Sequence, residues 1–126
     1  MFFRVASFVF VLTILTFVHC NVVPKLAEFM LKRVQNEKTK LKISCTPQEG
    51  SKPFHFEWHR EGRLLVEPFH RFKISFDEDE SELIIPRLSF EDSGNYSCTV
   101  RNDYGSDTQW TQIVVKGLLN RSNCIW

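Results

Sequence analysis

The chain has 126 residues, enough for one domain, with 43% hydrophobic and 25% charged residues, close to the globular average. That composition argues against a disordered chain and against a coiled coil. The formal net charge is +1, and removal of an N-terminal leader carrying Arg4 brings it to zero, which argues against nucleic acid or an anionic membrane as the main partner.

Residues 1–20 read MFFRVASFVFVLTILTFVHC. Arg4 supplies a positive start, residues 9–18 supply an apolar core, and Val18 and Cys20 are small enough to flank a cleavage point. The run is predicted to be a cleaved signal peptide, because a bilayer span needs about 20 apolar residues. Export leads to an oxidising compartment where cysteines can pair. Loss of Cys20 leaves Cys45, Cys98 and Cys124.

The mature chain is read as one domain over 22–117 followed by a short tail over 118–126. Pro24 marks an edge strand, since proline cannot donate to a ladder. In TKLKISC, Leu41, Ile43 and Cys45 alternate with Lys40, Lys42 and Ser44, the pattern of a half-buried strand. PQEGSKP is a loop. FHFEWHR alternates again, with Phe54, Phe56 and Trp58 on one face and His55, Glu57 and His59 on the other. After the EGR turn, RFKISF places Phe72, Ile74 and Phe76 inward, and after DEDE, SELIIP places Leu83 and Ile85 inward and Ile84 outward. NYSCTVRN directs Tyr96, Cys98 and Val100 inward. TQWTQIVVKG is the last strand, with Ile113 and Val115 inward and Trp110 and Val114 outward. No segment has a helical period, so seven to nine short strands separated by turns predict a two-sheet β-sandwich.

The sheets of a sandwich lie about 10 Å apart, and one disulfide spans that gap if each sheet offers an inward cysteine. Cys45 and Cys98, 53 residues apart, are both inward on the alternation. Trp58 is inward on the strand after Cys45 and is predicted to pack against the bridge. Tyr96 points to the same side as Cys98, so its hydroxyl can bond backbone at the turn into the strand. Gly94 permits that turn, and Asp92 is placed to meet a cation, for which Arg71 is the candidate.

In order, Cys45, Trp58, Leu83, Ile85, Asp92, Gly94, Tyr96 and Cys98 form a C…W…L-x-I…D-x-G-x-Y-x-C pattern that resembles an immunoglobulin domain. VRNDYG, with Asn102 and Gly105, resembles the I-set subtype. PKLAEF and GNYSCTVRN are most similar to domains of Down syndrome cell adhesion molecule (Dscam)-type receptors. The resemblance covers residues 22–117 and implies an all-β immunoglobulin-like sandwich of two antiparallel sheets bridged by one disulfide. Those receptors are long multi-domain proteins with a membrane span, whereas this sequence offers one domain and no span.

Enzymatic readings find little support. His55 and His59 share one strand face about 13 Å apart by strand rise, too far to ligate one metal, and with His70 they are read as surface histidines. Ser93 and Ser97 have no evident base. The acidic run Asp77–Glu80 suits calcium chemistry, but a solvated hairpin between strands accounts for it. No catalytic residue, metal site or cofactor is therefore expected. Asn95 in NYS and Asn120 in NRS are candidate N-glycosylation sites. Trp110 and Arg101 on one sheet, and Ile84 on the other, are candidate interface residues, since tryptophan and arginine are common interface anchors. A slip of one residue in the last strand would turn Trp110 inward and remove that candidate. Cys124 is read as a free thiol, as an intermolecular disulfide, or as a partner of Cys20 if the leader is cut earlier.

The expectation is a secreted or cell-surface recognition module binding protein, namely another immunoglobulin-like domain or a second copy of itself as a homodimer. The rival from another class is a soluble decoy or humoral immune modulator that binds a cell-surface receptor or a microbe.

Overall fold

Alternating burial in a computed structural model bears out the period-two reading along most of the chain. The structure describes residues 21–66 and 70–117. The expected leader at 1–20, with Arg4 and Cys20, and the tail with Asn120 and Cys124 lie outside the described residues. Ten strands are found among them: β1 (Lys25–Leu26), β2 (Lys32–Asn36), β3 (Leu41–Cys45), β4 (Pro47–Glu49), β5 (His55–Arg60), β6 (Arg63–Leu64), β7 (Lys73–Phe76), β8 (Ser81–Ile85), β9 (Gly94–Asn102) and β10 (Gly105–Lys116). One 3-10 turn, Phe90–Asp92, precedes β9.

The strands form a sandwich. One sheet runs β3-β8-β7, and the other runs β2-β10-β9-β5-β6. β1 pairs with β4, which follows β3 after Thr46, so the chain enters on the side of the smaller sheet. It then crosses over, and β2 pairs with the end of β10. That pairing is parallel, while the neighbouring ladders are antiparallel. Both strands run the same way, from Lys32 opposite Gln112 to Asn36 opposite Lys116.

Leu41, Ile43 and Cys45 of β3, Leu83 and Ile85 of β8, and Tyr96, Cys98 and Val100 of β9 are buried, as are Trp58, Ile113 and Val115. Leu26, Phe29 and Leu88 join them, and none of these three follows from strand alternation. Phe29 lies near-parallel to Trp58, ring centroids 6.3 Å apart.

Phe76 departs from the expected burial. Its parity matches Ile74, yet it is 58% exposed. β7 is the outer strand of its sheet, and Phe76 closes it against Ser81 at the acidic turn, beyond the cover of the facing sheet. With Phe54 and Lys52 it lines an open hollow of about 520 Å³. In the turn, the Asp77 carboxylate accepts the backbone N–H groups of Asp79 and Glu80, both at 2.7 Å, and these bonds hold it below the usual carboxylate range. Among the described residues, no group of three or more His, Cys, Asp or Glu could hold a metal ion.

Candidate functional site

The rigidity of any recognition surface here begins at the Cys45–Cys98 disulfide, which joins β3 to β9 and thus one sheet to the other, with Cα atoms 6.3 Å apart. Trp58 stands opposite Cys98 in register, and both side chains are buried. Its indole N–H is not left bare: it donates to Ser81 Oγ at 2.8 Å, and that hydroxyl donates to the Ser75 carbonyl at 2.9 Å. The indole thus links the two sheets by a polar bond as well as by packing, as buried tryptophan requires.

At one end of the sandwich, the Tyr96 hydroxyl donates to the Asp92 carbonyl at 2.7 Å. The Asp92 carboxylate receives Arg71 in a two-point fork, Nε to Oδ1 at 2.9 Å and an Nη to Oδ2 at 2.6 Å, and also accepts the Ser89 N–H at 2.8 Å. Asp92 holds the Arg71 guanidinium above its ordinary pKa, first by these hydrogen bonds and then by charge. Arg60 donates to the Glu91 carbonyl, and its guanidinium lies 5.6 Å from the Tyr96 ring centre. Gly94 enters β9 at φ +151°, where a side chain would sit 2.5 Å from Glu61 Oε1.

Burial pushes the Tyr96 phenol up from 10 to about 12, with the nearby Arg60 charge pulling the other way. The unfolded chain releases that proton near its ordinary value, whereas the folded chain keeps it about two decades longer. Its contribution to stability is intact below pH 10, falls as pH rises from 10 to about 12 by about 3 kcal/mol, and is level above that. In urea melts across this window, Tyr96→Phe is expected to flatten that alkaline loss. At neutral pH the variant is expected to be weaker by about 1 kcal/mol, for the lost hydrogen bond.

The outer face of the five-stranded sheet is a platform set by register. Leu64 pairs with His59, His59 with Ser97, and Ser97 with Trp110, so these four stand in one row across β6, β5, β9 and β10. Trp110 is 54% exposed because its cross-strand neighbour is only a serine. The last strand has therefore not slipped. Beside the row, Thr99 and Thr108 share a hydroxyl hydrogen bond at 2.7 Å, and Arg101 approaches Glu57 at 3.8 Å. Val34 of β2, 45% exposed, pairs with Val114 of β10. Asn95 is exposed on the same face, with its backbone N–H and C=O both bonded to Glu61.

Ile84 is half-buried on the other sheet, with Lys42 and Lys73 as its cross-strand neighbours. Lys42 is itself bridged to Glu82 at 2.7 Å. Trp110 and Arg101 thus share one face, and Ile84 lies on the opposite one. His55 and His59 both stand on β5, paired with Arg101 and Ser97. The exposed apolar contribution of Leu64 was missed by the sequence reading, though its register with His59 across the Glu61–Gly62 turn could have revealed it. Asn102 shows why its position after the second cysteine matters. Its amide donates to the carbonyls of Val22 and Ser51 at 2.7 and 3.0 Å, while its oxygen accepts the N–H groups of Tyr104 and Gly105.

A family model for the immunoglobulin I-set domain matches residues 24–115. Papilin of Homo sapiens is 31% identical over 83 residues, covering 66% of this chain and 6% of that protein. The cell adhesion molecule Dscam2 of Drosophila melanogaster is 34% identical over 73 residues, covering 53% of this chain and 4% of that protein. Among solved structures, the I-band fragment I67-I69 from titin superposes with a TM-score of 0.67 at 27% identity, covering 75% of this chain and 33% of that one. The likeness is thus to a small part of each longer relative, and one of them is of the expected Dscam type. Because the matched span takes in both bridged cysteines, Trp58, and Tyr96 with its bond to the Asp92 carbonyl, the chain belongs to the immunoglobulin I-set domain family.

Proposed function

We propose that this domain is a protein-recognition module, and that it docks another immunoglobulin-like domain, including a second copy of itself, through the outer face of the five-stranded sheet. The observation that carries this is Trp110, a large aromatic side chain left exposed at the end of the cross-strand row, opposite a serine. Exposed tryptophan on a rigid surface supplies contact area with little entropy to lose on binding. Leu64 extends the apolar row, while Arg101 with Glu57 supplies a polar margin. Ile84, half-buried between lysines, is the weaker candidate. The module works without covalent chemistry and without a cofactor. Secretion is part of the same reading, supported by the oxidised Cys45–Cys98 pair. Adhesion is the process named for the Dscam2 relative, and it enters here by that likeness.

Sedimentation equilibrium of the secreted chain, with and without Trp110→Ala, tests the reading. Concentration-dependent dimerisation is expected, weakened by Trp110→Ala roughly 30-fold, the scale of one anchor of about 2 kcal/mol. A chain that stays monomeric yet captures a cell-surface receptor through Trp110 would favour the soluble modulator instead. Association unchanged by the substitution would rule out this face.

A further inference from the structure

We propose that Asn95 carries an N-linked oligosaccharide whose first N-acetylglucosamine lies over the Trp110 indole, so that the glycan covers or frees the recognition face. The effect on docking rests on the reading of that face as an interface, but the glycan contact does not.

Residues 95–97 read Asn-Tyr-Ser, an acceptor sequence for N-glycosylation in exported proteins. Asn95 is exposed, and Glu61 engages only its backbone. Register then places the sugar. Asn95 pairs with Gln112, and Ser97 pairs with Trp110, so Asn95 and Trp110 are diagonal neighbours on one face of β9 and β10. Diagonal positions lie about 7–8 Å apart, within reach of large side chains. Asn95, Ser97 and Trp110, together with Gly62 and Tyr96, line one open hollow of about 300 Å³. Around Gly62 that space is clear, since a β-carbon there would meet nothing within 4 Å. A pyranose presents a face of C–H groups, and the exposed face of an indole is its natural platform.

In the transfer, the Asn95 side-chain nitrogen attacks C1 of a lipid-pyrophosphate-linked oligosaccharide. The N–C1 bond forms, and the C1–O bond breaks with its electron pair leaving on the lipid pyrophosphate. One amide proton passes to a base of the secretory-pathway transferase, which supplies the catalysis. Asn95 and Ser97 sit in β9, and Ser97 is paired on both flanks in the finished fold. Transfer therefore precedes closure of the sheet.

The test uses the full chain secreted from animal cells. Enzymatic deglycosylation in heavy-oxygen water should convert Asn95 to a labelled aspartate in peptide mass maps. Asn95→Gln and, independently, Ser97→Ala should each remove that glycan. Acrylamide quenching of the Trp110 fluorescence, isolated by difference from Trp110→Phe, should rise in both variants. Dimerisation should tighten by about tenfold or more when the glycan is absent, the scale of uncovering one anchor. An unmodified Asn95 overturns the proposal. So does a glycan whose removal leaves Trp110 quenching unchanged, even if Trp110→Ala still abolishes association. If quenching rises but neither glycan removal nor Trp110→Ala alters association, the glycan contact stands and the docking reading fails.

Discussion

Replacing Cys45 and Cys98 together by alanine is expected to lower the unfolding free energy by about 4 kcal/mol, read from urea melts of the secreted domain. The bridge closes a loop of 53 residues, and its loss returns that loop's freedom to the unfolded chain. Both sulfurs lie in the fully buried centre, so two small voids form as well. A domain of this size has a total stability of about 5–15 kcal/mol, and the bridge is a large share of it. A loss below about 1 kcal/mol would mean that Trp58 and its neighbours, not the bridge, hold the sheets together. The variant's alternative failure is visible too: if it does not fold, the lower-stability arm is reached by reducing the wild-type bridge and following the melt in reductant.

Arg71→Ala is expected to weaken the fold by about 3–5 kcal/mol, the range found when one member of a buried ion pair is removed. The reason is an asymmetry in burial. Asp92 is fully buried, whereas the Arg71 side chain is 41% exposed. Without the guanidinium the carboxylate keeps the Ser89 N–H but loses its two-point fork. Asp92→Ala leaves Arg71 free to turn toward water, so the charge penalty does not arise there. The double variant should therefore be more stable than the sum of the singles predicts. Arg71→Lys should recover only part of the loss, because an ammonium cannot reproduce the fork. Salt should change the Arg71→Ala loss only modestly, since the Asp92 carboxylate that it uncovers is fully buried while the guanidinium is partly open to solvent. Equal and additive losses for the two single variants would show that the pair acts through packing alone.

The route from residues to fold was short wherever a signal was local. Cys45, Trp58, Tyr96 and Cys98 lie on strands whose inward and outward residues alternate, and alternation needs only neighbours two positions apart. The same parity placed Trp110 outside and Ile113 inside, as observed. β2 was illegible for the converse reason. Its five residues, KRVQN, offer no apolar alternation, and its burial swings only between exposed and half-buried. Phe29 and Leu26 come from segments with little or no strand, yet reach the core because the chain crosses between sheets there.

The candidate face divides in the same way. The outward direction of Trp110, Arg101 and Asn95 was encoded by their own strands. Their grouping was not. That Leu64, His59, Ser97 and Trp110 form one row depends on three separate pairings, one of them, β5 with β9, between strands far apart in sequence. By itself the sequence determined the sandwich, its bridge and the side on which each strand residue stands, because backbone pleating acts over two residues. Only the tertiary structure decided the parallel docking of β2, the exposure of Phe76 at a sheet margin and the diagonal meeting of Asn95 with Trp110. These depend on register and edge position, which are set by contacts between segments that no local period connects.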